Sequence, residues 1–444
     1  MGQGGGITFI NGTLHDWKRS APQAHRMENW NIPETLPAGQ STTLYIEWPG
    51  DAFTAHIPEF AHETFTLSDT PFHFALAARR INDALTFQVI LTNLTTDNNP
   101  PGTVIDLGFA HDGDVCFILS GTEGSFTSTN PPIDWMQRNI GTLGPRPLRE
   151  ICMPGTHNSG MSVSRGRTIL ATEGTCLCQG LSVYEQLVAG SRYLDIRPTI
   201  TAEGWFSGHY SEIRSPVLGD LLKTWQGMSG QGIAEIVAEV NRFTEEYKEL
   251  VVISVSHSAN ALRDYKPFTD PEWAECYKHL SNLTHLHALP NSTSAALADL
   301  PLSTFIGGAT PKAAVLVLTE APAHTLEAFP DAGFYTANQL NMFDFYTNTM
   351  SADWMATDQL DKIAKNAKDK FFILPWILTQ EGARDLVLSS LKEMAVDAER
   401  VLWKRLWAGC ERGKIPNVVL VDYLKGGGRD VAALCMAVNN MFGV

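Results

Sequence analysis

Polar groups able to move protons stand at the ends of short apolar runs in this 444-residue sequence. His157 lies in a small-residue turn just beyond such a run, and Asp422 follows four aliphatic residues. Asp195 and Arg197 are two positions apart on a predicted strand, which aims both side chains to one face because strand side chains alternate. His209 ends a third run. The sequence thus supplies two imidazoles, a guanidinium and carboxylates at strand ends.

This set of groups suits cleavage of a phosphodiester that carries its own nucleophile. A neutral imidazole removes a proton from a substrate hydroxyl, a guanidinium binds phosphate oxygens bidentately, and a protonated imidazole donates to the leaving alcohol. That mechanism requires no metal ion. A single histidine at a strand end is more often a structural hydrogen-bonding group, and an aspartate there can cap a helix. Their joint occurrence favours catalysis.

Four segments in this order resemble the X-region of phosphatidylinositol-specific phospholipase C. They are Met153-Pro-Gly-Thr-His-Asn-Ser159, Leu194-Asp-Ile-Arg197, Gly208-His209 and Leu420-Val-Asp422-Tyr423. The resemblance covers the chain from near Arg146 to its last residue. The Asp-x-Arg motif is similar to the bacterial, metal-independent branch, since the calcium-dependent animal enzymes carry Glu-x-Asp.

The resemblance implies a role for each of the five residues. His157 is the expected general base with Asp422 as its orienting partner. His209 is the expected general acid, Arg197 the phosphate clamp and Asp195 the carboxylate that supports the clamp. No cofactor follows from these roles.

Further contacts to the substrate are implied by the same resemblance. Asp344 and Tyr346 match an Asp-x-Tyr pair that contacts inositol, with the ring stacking on the sugar; an ordinary amphipathic strand is an equal alternative. Asn158 and Ser256 are also expected to contact the substrate.

The sequence departs from the family pattern at three places. Asn158 stands where bacterial enzymes have an aspartate paired with the general acid. Arg197 and Ser256 replace two calcium-binding carboxylates, and a cation beside an arginine is unfavourable, so we expect no metal. Ser256 or His257, and Thr319 or Glu320, replace a lysine and an arginine that bind inositol hydroxyls. Phosphodiester cleavage is therefore the firmer expectation, and the headgroup the weaker one.

The first 135 positions show the pattern of an all-β sandwich domain. Alternating runs such as Thr43–Trp48 and Leu85–Leu91 are separated by Pro, Gly, Asn and Asp clusters, and Ser125–Pro132 is the predicted linker. The N-terminal run from Ile7 resembles the β-sandwich ahead of this barrel in many fungal proteins. Trp17, Trp30 and Trp48 are predicted sandwich core, with a membrane- or glycan-contacting patch as the alternative.

Residues 136–444 alternate apolar runs with amphipathic segments, which predicts an α/β domain of the (β/α)8 TIM-like barrel class. Catalytic residues of such barrels lie at the carboxyl ends of the strands. Helices are predicted over Ile233–Tyr247 and Ala383–Trp407. The eight predicted strands are Glu150–Pro154, Arg192–Pro198, Gly204–His209, Leu250–His257, Ala313–Thr319, Met342–Tyr346, Phe371–Ile377 and Pro416–Tyr423.

Composition limits the classes of function. The formal charge of −15 argues against nucleic acid binding and against electrostatic attraction to anionic membranes. No apolar run is long enough to span a bilayer and no secretory signal is visible, so we expect a cytoplasmic or unconventionally exported monomer that meets phospholipid at a membrane surface. Seven scattered cysteines suggest reduced thiols.

Three hypotheses remain at this stage. The first is a phosphodiesterase that converts a phosphatidylinositol-type lipid to diacylglycerol and cyclic inositol phosphate without metal. The second is a metal-dependent glycerophosphodiester or sphingolipid phosphodiesterase, for which EDTA sensitivity would speak. The third is a lipid- or glycan-binding protein whose barrel site has lapsed.

Overall fold

A computed structural model gives the fold of the chain in two compact units. Unit 1 comprises Met1–Pro132, Arg400–Arg412 and Gly427–Gly443, and unit 2 comprises Ile133–Glu399 and Gly413–Gly426. The division into domains at residue 135 stays a prediction. The residues that the structure describes are 3–20, 25–54, 57–215, 219–289, 296–307, 310–330, 332–380, 389–426 and 429–443, and side chains are described outside 213–223.

Unit 1 holds two separate β-sheets. The first has the strand order β10-β9-β1-β4 and the second the order β3-β2-β5-β6-β7-β8. The ten strands are β1 (Gln3–Thr13), β2 (Trp17–Arg19), β3 (Thr35–Leu36), β4 (Ser41–Trp48), β5 (Glu59–Leu67), β6 (His73–Ile81), β7 (Ala84–Ile90), β8 (Val104–Gly108), β9 (Asp114–Gly121) and β10 (Thr127–Ser128).

Buried side chains from both sheets form one apolar core in unit 1. Trp17, Trp30 and Trp48 belong to it and are almost fully buried, so their prediction as core residues is confirmed. The segment predicted as a linker is instead part of the fold, because β10 pairs with β9 and the Thr127 and Ser120 hydroxyls are 2.7 Å apart.

Unit 2 is built on an eight-stranded parallel sheet with the order β20-β19-β17-β13-β11-β23-β22-β21. Its strands are β11 (Met153–Thr156), β13 (Tyr193–Ile196), β17 (Leu250–Val255), β19 (Ala314–Thr319), β20 (Phe334–Thr336), β21 (Met342–Asp344), β22 (Phe371–Pro375) and β23 (Val418–Val421). Seven of the eight predicted strands overlap this sheet.

The parallel sheet must curl. Eight strands laid flat at ~4.8 Å spacing would hold the two edges ~34 Å apart. The edge strands β20 and β21 are joined by only five residues, which reach no more than ~20 Å when extended. The predicted closure into a complete barrel is not observed, because the described residues show no pairing between β20 and β21.

A second sheet of unit 2 corrects one predicted strand. Its order is β12-β16-β15-β14-β18, and its strands are β12 (Gly166–Arg167), β14 (Pro198–Thr201), β15 (Gly204–Ser215), β16 (Gly219–Gly232) and β18 (Ala259–Asn260). The prediction of Gly204–His209 as a parallel barrel strand is wrong. Only two residues separate β14 from β15, and so short a connection can join only antiparallel strands. The eighth strand of the parallel sheet is instead β20, a short strand with little sequence signal that pairs with β19 at the edge of the sheet.

The helices are short apart from five. They are α1 (Trp135–Arg138), α2 (Ile140–Leu143), α3 (Glu173–Cys176), α4 (Val183–Val188), α5 (Ile233–Tyr247), α6 (Asp270–Leu280), α7 (Leu302–Phe305), α8 (Ala352–Asn366), α9 (Leu391–Gly409) and α10 (Asp430–Phe442), with 3-10 turns at Leu148–Glu150, Ala261–Arg263, Leu297–Asp299, Ala323–Leu326 and Ala337–Leu340. The prediction of α5 is confirmed. Of the second predicted helix, the part from 391 onward is observed as α9, and 383–388 lie outside the described residues.

Two sequence expectations concern the whole chain. All seven cysteines are free thiols, and all are buried, as expected for reduced residues. Among the helices that the structure describes, none combines the length and the apolar character that crossing a bilayer demands.

Candidate active site

Four neighbouring strands of the parallel sheet each end in a polar residue. In the order β23, β11, β13 and β17, the first residue after the strand is Asp422, His157, Arg197 and Ser256. The register pairs Thr156 with Val421, so His157 and Asp422 leave the sheet side by side. The carboxyl edge of the sheet therefore gathers side chains that are far apart in sequence.

His157 is held between an acceptor and a donor. Its Nδ1 lies 2.8 Å from Asp422 Oδ1, and Arg197 Nη2 lies 2.7 Å from its Nε2. A carboxylate can only accept and a guanidinium can only donate, so Nδ1 carries the proton and Nε2 presents its lone pair. The imidazole is thus neutral, in the tautomer that a general base requires.

Asp195 fixes the guanidinium of Arg197. Arg197 Nε donates to Asp195 Oδ2 at 3.1 Å, and the carboxylate also accepts from the Asn158 backbone N–H and the Ser256 hydroxyl, each at 3.0 Å. Burial acts to raise the pKa of Asp195, but the charge of Arg197, together with the hydrogen bond from the Asn158 backbone, outweighs it and lowers the pKa to about 2. In turn, the Asp195 carboxylate raises the pKa of Arg197 although burial opposes it. The clamp is therefore a fixed cation.

His209 lies on the antiparallel hairpin of β15 and β16 and lines the same cleft as His157 and Arg197. Its Nδ1 donates to the carbonyl oxygen of Cys176 at 3.0 Å, which leaves Nε2 as the nitrogen able to meet a ligand. Burial, and then the charge of Arg197, lower the pKa of His209 to about 4. Without substrate this imidazole is neutral at pH 7.

The cleft that unites these groups has a volume of about 510 Å3, within the usual range for ligand sites. His157, Arg197, His209, Asp344, Tyr346 and Asp422 all line it. A smaller recess of about 180 Å3 shares Arg197, His257, Asp344 and Tyr346 with the cleft and is also lined by Asp195, Ser256 and Glu320.

Asp344 and Tyr346 flank the recess. Burial, followed by repulsion from Asp195, raises the pKa of Asp344 to about 6, so this carboxyl can be a proton donor or acceptor near neutral pH. Burial also raises the pKa of Tyr346 well beyond its usual value. The Tyr346 ring lies edge-on to the His157 ring, with 6.0 Å between the centroids.

Asn158 is placed differently from the other predicted residues. It is fully buried and is absent from the residues that line the described cleft. Its Nδ2 donates to the Gly208 carbonyl at 3.4 Å, while its Oδ1 has no hydrogen-bonding partner within the described structure. The structure thus puts its side chain behind the site, next to the residue that precedes His209.

Two further residues of this site, Gln179 and Cys178, were not singled out in the sequence, and a third, His257, was considered only as a replacement for an inositol-binding lysine. Gln179 donates through Nε2 to the His157 carbonyl at 2.9 Å and to the Val421 carbonyl at 3.1 Å, which joins the two turns that carry His157 and Asp422. His257 Nδ1 lies 2.9 Å from Ser256 Oγ. Cys178 Sγ lies 3.6 Å from His209 Nδ1. His257 adjoins a position that the resemblance marked, whereas no local pattern in the sequence points to Gln179 or Cys178.

One group of residues has the spacing of metal ligands in the part of the chain that the structure describes. Ligand atoms of His157, Cys178 and Asp422 all lie within 4.8 Å of one another. The group overlaps the pair that holds the general-base tautomer.

Several apolar side chains of unit 2 are exposed to solvent, and two of them line the cleft or a pocket that shares His209 with it. Ile169 and Leu170 follow β12, Phe345 follows β21, and Trp354 lies in the first turn of α8. Phe345 lines the cleft itself, and Leu170 lines a small pocket shared with His209. The surroundings of the polar site are therefore partly apolar.

Comparisons with known proteins give distant structural likenesses. No family model and no curated protein matches the sequence. The phosphatidylinositol-specific phospholipase C of Listeria monocytogenes is 14% identical, with 66% of this chain and 95% of that chain covered and a TM-score of 0.40. The enzyme of that name from S. aureus is 15% identical, with 69% and 98% covered and a TM-score of 0.48. PLC21 of S. officinalis is 11% identical, with 64% and 35% covered and a TM-score of 0.31. We therefore derive the function from the geometry of the site.

Proposed function

We propose that this chain is a phosphodiesterase that cleaves a phosphatidylinositol-type lipid to diacylglycerol and a cyclic inositol phosphate, without a metal ion. One observation carries the proposal. A neutral histidine held by Asp422, a guanidinium fixed by Asp195 and a second histidine face one cleft.

The first step is proton removal by His157. A headgroup hydroxyl next to the phosphodiester gives its proton to Nε2, and the resulting oxygen forms the new bond to phosphorus. Asp422 stabilises the imidazolium, because its carboxylate already accepts from Nδ1 at 2.8 Å. General base catalysis of this kind contributes ~10²–10⁴-fold to a rate.

Arg197 connects substrate binding to the readiness of the base. Before substrate binds, its Nη2 donates to the His157 Nε2 lone pair. A bound phosphodiester offers oxygens that carry negative charge, which are better acceptors than a neutral imidazole. The guanidinium then turns to the phosphate, and Nε2 becomes available for the hydroxyl proton.

His209 completes the reaction as the acid. The bond between phosphorus and the lipid oxygen breaks, and His209 Nε2–H supplies the proton that converts this oxygen to the hydroxyl of diacylglycerol. The pKa of about 4 reflects burial and then Arg197, and the negative charge of a bound phosphodiester offsets the latter. Substrate itself therefore promotes protonation of His209.

The recess suits the headgroup of the substrate, and the exposed apolar side chains described above suit its acyl chains. Asp344, Ser256, His257 and Glu320 present hydrogen-bonding groups around a space of about 180 Å3, which suits a polyhydroxylated ring. Tyr346 adds an aromatic wall for that ring. Exposed Phe345 lines the cleft and can meet acyl chains.

Phosphorus NMR tests the proposal directly. The purified chain is incubated with phosphatidylinositol in mixed micelles containing EDTA, and we expect a cyclic phosphodiester signal. In His157→Asn and His209→Asn, the rate should fall ~10²–10⁴-fold while the circular dichroism spectrum and Tm are kept. Full activity in either variant would refute the assigned roles.

The two other hypotheses predict different spectra. A metal-dependent phosphodiesterase would be silent in EDTA and would recover when calcium or magnesium is added. A binding protein with a lapsed site would give no product under either condition. Both results would exclude the proposed mechanism.

A further inference from the structure

The free thiol of Cys178 lies against the proposed catalytic pair although the reaction has no use for it. Cys178 follows α3 and is completely buried. Its Sγ, a nitrogen of His157 and an oxygen of Asp422 lie within 4.8 Å of one another, and Sγ is also 3.6 Å from His209 Nδ1. Sulfur, nitrogen and oxygen ligands thus converge on one point.

These distances are close to those around a zinc ion. Zn²⁺ takes four ligands in a tetrahedron, with bonds of ~2.0–2.3 Å to oxygen, nitrogen and sulfur, so neighbouring ligand atoms are ~3.3–3.8 Å apart. The Nδ1–Asp422 separation of 2.8 Å and the limit of 4.8 Å for the group bracket that range. Shifts of ~1 Å or less would complete three ligands. His157 and Asp422 line the cleft, from which a water molecule could supply the fourth.

We propose that His157, Cys178 and Asp422 form an inhibitory binding site for a thiophilic divalent cation such as Zn²⁺. On binding, the S–H bond of Cys178 breaks, its proton leaves to solvent, and a sulfur–metal bond forms. Asp422 lies on the Nδ1 side of His157, so the metal takes the Nδ1 lone pair and the ring proton moves to Nε2. No oxidant or further reactant is needed.

Occupation of this site stops the reaction at its first step. With a proton on Nε2, His157 has no lone pair left to remove the hydroxyl proton. Asp422 binds the metal rather than Nδ1, so it no longer stabilises an imidazolium. Arg197, which donates to Nε2, must also turn away. Because its charge repels a second cation, binding depends on the negative charges of the Cys178 thiolate and the Asp422 carboxylate to offset that repulsion.

The ligand set selects the cation. Thiolate and imidazole suit Zn²⁺ and Cd²⁺, whereas Ca²⁺ and Mg²⁺ prefer oxygen ligands and more of them than this group supplies. Burial, together with the charge of Asp422, raises the pKa of the Cys178 thiol well beyond its usual value. The metal must displace that proton, which makes the inhibition reversible by EDTA.

Spectroscopy with Co²⁺ tests the site independently of turnover. Thiolate-to-cobalt charge-transfer absorption should appear when Co²⁺ is added to the full chain and should be lost in Cys178→Ser and Cys178→Ala. Cys176→Ser is the matched control, since this buried thiol is two residues away and is not in the ligand group, and it should keep the band. An unchanged band in both Cys178 variants, or no band in the unaltered chain, would overturn the proposal.

Inhibition of turnover is the second readout and rests on the proposed function. Zn²⁺ should inhibit phosphatidylinositol cleavage, EDTA should restore it, and each Cys178 variant should need at least ~10-fold more Zn²⁺ relative to its own zinc-free rate. If the protein proves inactive but the cobalt band depends on Cys178, the proposed function fails and the metal site stands. Equal zinc sensitivity in an active Cys178 variant would contradict the inhibitory role.

Discussion

At the scale of single residues, the site pairs two histidines in opposite electrostatic settings. His157 faces the Asp422 carboxylate through Nδ1, whereas His209 has a backbone carbonyl and a thiol, both uncharged, at the same atom. Both imidazoles lie close enough to Arg197 to be affected by its charge, and burial strengthens that electrostatic effect. The acid is therefore the group whose protonation depends most on what else occupies the cleft.

This difference predicts the pH dependence of the reaction. An acid must be protonated, and the protonated fraction of His209 falls as pH rises through its pKa of about 4. We expect kcat/KM, which reports on the free enzyme, to decline with rising pH from acidic values. The decline in kcat should lie at higher pH, because bound phosphate raises the pKa of His209. Coincident declines would contradict this account of substrate-assisted protonation.

The Asn158→Asp variant tests directly whether nearby negative charge controls the pKa of His209. A carboxylate beside Gly208 would place a negative charge next to the acid and raise the pKa of His209, so the decline in kcat/KM should move ~1 unit or more to higher pH. Asn158→Gly is the control, because both replacements tolerate the positive φ of 43° and glycine adds no charge. Equal profiles for the two variants would show that the charge does not reach His209.

At the scale of elements, the sheet edge was predictable and the hairpin was not. His157, Arg197 and Asp422 follow buried apolar runs, and such runs in an α/β sequence point to parallel strands whose carboxyl ends meet. His209 instead lies within a long antiparallel strand. Its neighbouring run has the same local composition as a barrel strand, and only the two-residue connection after Thr201 reveals the reversal.

The rest of the site could not be read from local patterns for related reasons. β20 is three residues long, too short to show any periodicity. Gln179 and Cys178 act through contacts that span up to 242 residues of sequence. Asn158 matches a motif, but only the folded turn reveals that its side chain is buried behind the cleft. Long-range geometry, rather than composition, decides these positions.

The hairpin of β15 and β16 leads to a prediction about Gly227. A Cβ added at this residue of β16 would lie 2.1 Å from the His209 carbonyl oxygen and 2.6 Å from Tyr210 Cα, so the backbone that carries the acid must shift. We expect Gly227→Ala to lower kcat ~10²-fold. Gly166→Ala in the same sheet, where the added carbon meets nothing within 4 Å, should leave kcat unchanged. Steady-state kinetics will give kcat for both variants, and Tm measurements will show whether each is folded. Equal kcat values in two folded variants would contradict the prediction.

The exposed apolar side chains of unit 2 predict that turnover depends on binding to a lipid surface. Ile169 is 98% exposed and Trp354 57% exposed, and burying such side chains in lipid contributes ~1.5–3 kcal/mol each. Ile169→Ser combined with Trp354→Ser should lower turnover of phosphatidylinositol in vesicles at least ~10-fold and spare a short-chain monomeric substrate. Val104→Ser, exposed in unit 1, is the control and should affect neither.

At the scale of the whole molecule, charge and apolar contact act in opposite directions. A formal charge of −15 repels anionic lipid surfaces, whereas the exposed apolar side chains attract any bilayer. Vesicles with a fixed fraction of phosphatidylinositol should therefore be hydrolysed faster in a background of phosphatidylcholine than of phosphatidylglycerol. The difference should shrink as salt is added, because the repulsion is screened. Faster cleavage in the anionic background would refute this prediction.

The hydrogen bond between His157 and Asp422 joins residues 265 positions apart. At a synthesis rate of ~5–20 residues per second, the ribosome needs roughly 15–50 s to add the second partner after the first. Throughout that interval the nascent chain contains the base without the carboxylate that orients it, and β11 lacks its neighbour β23. Under the proposed function, the pair that acts as the base therefore forms only after Asp422 has been added, late in the synthesis of the chain.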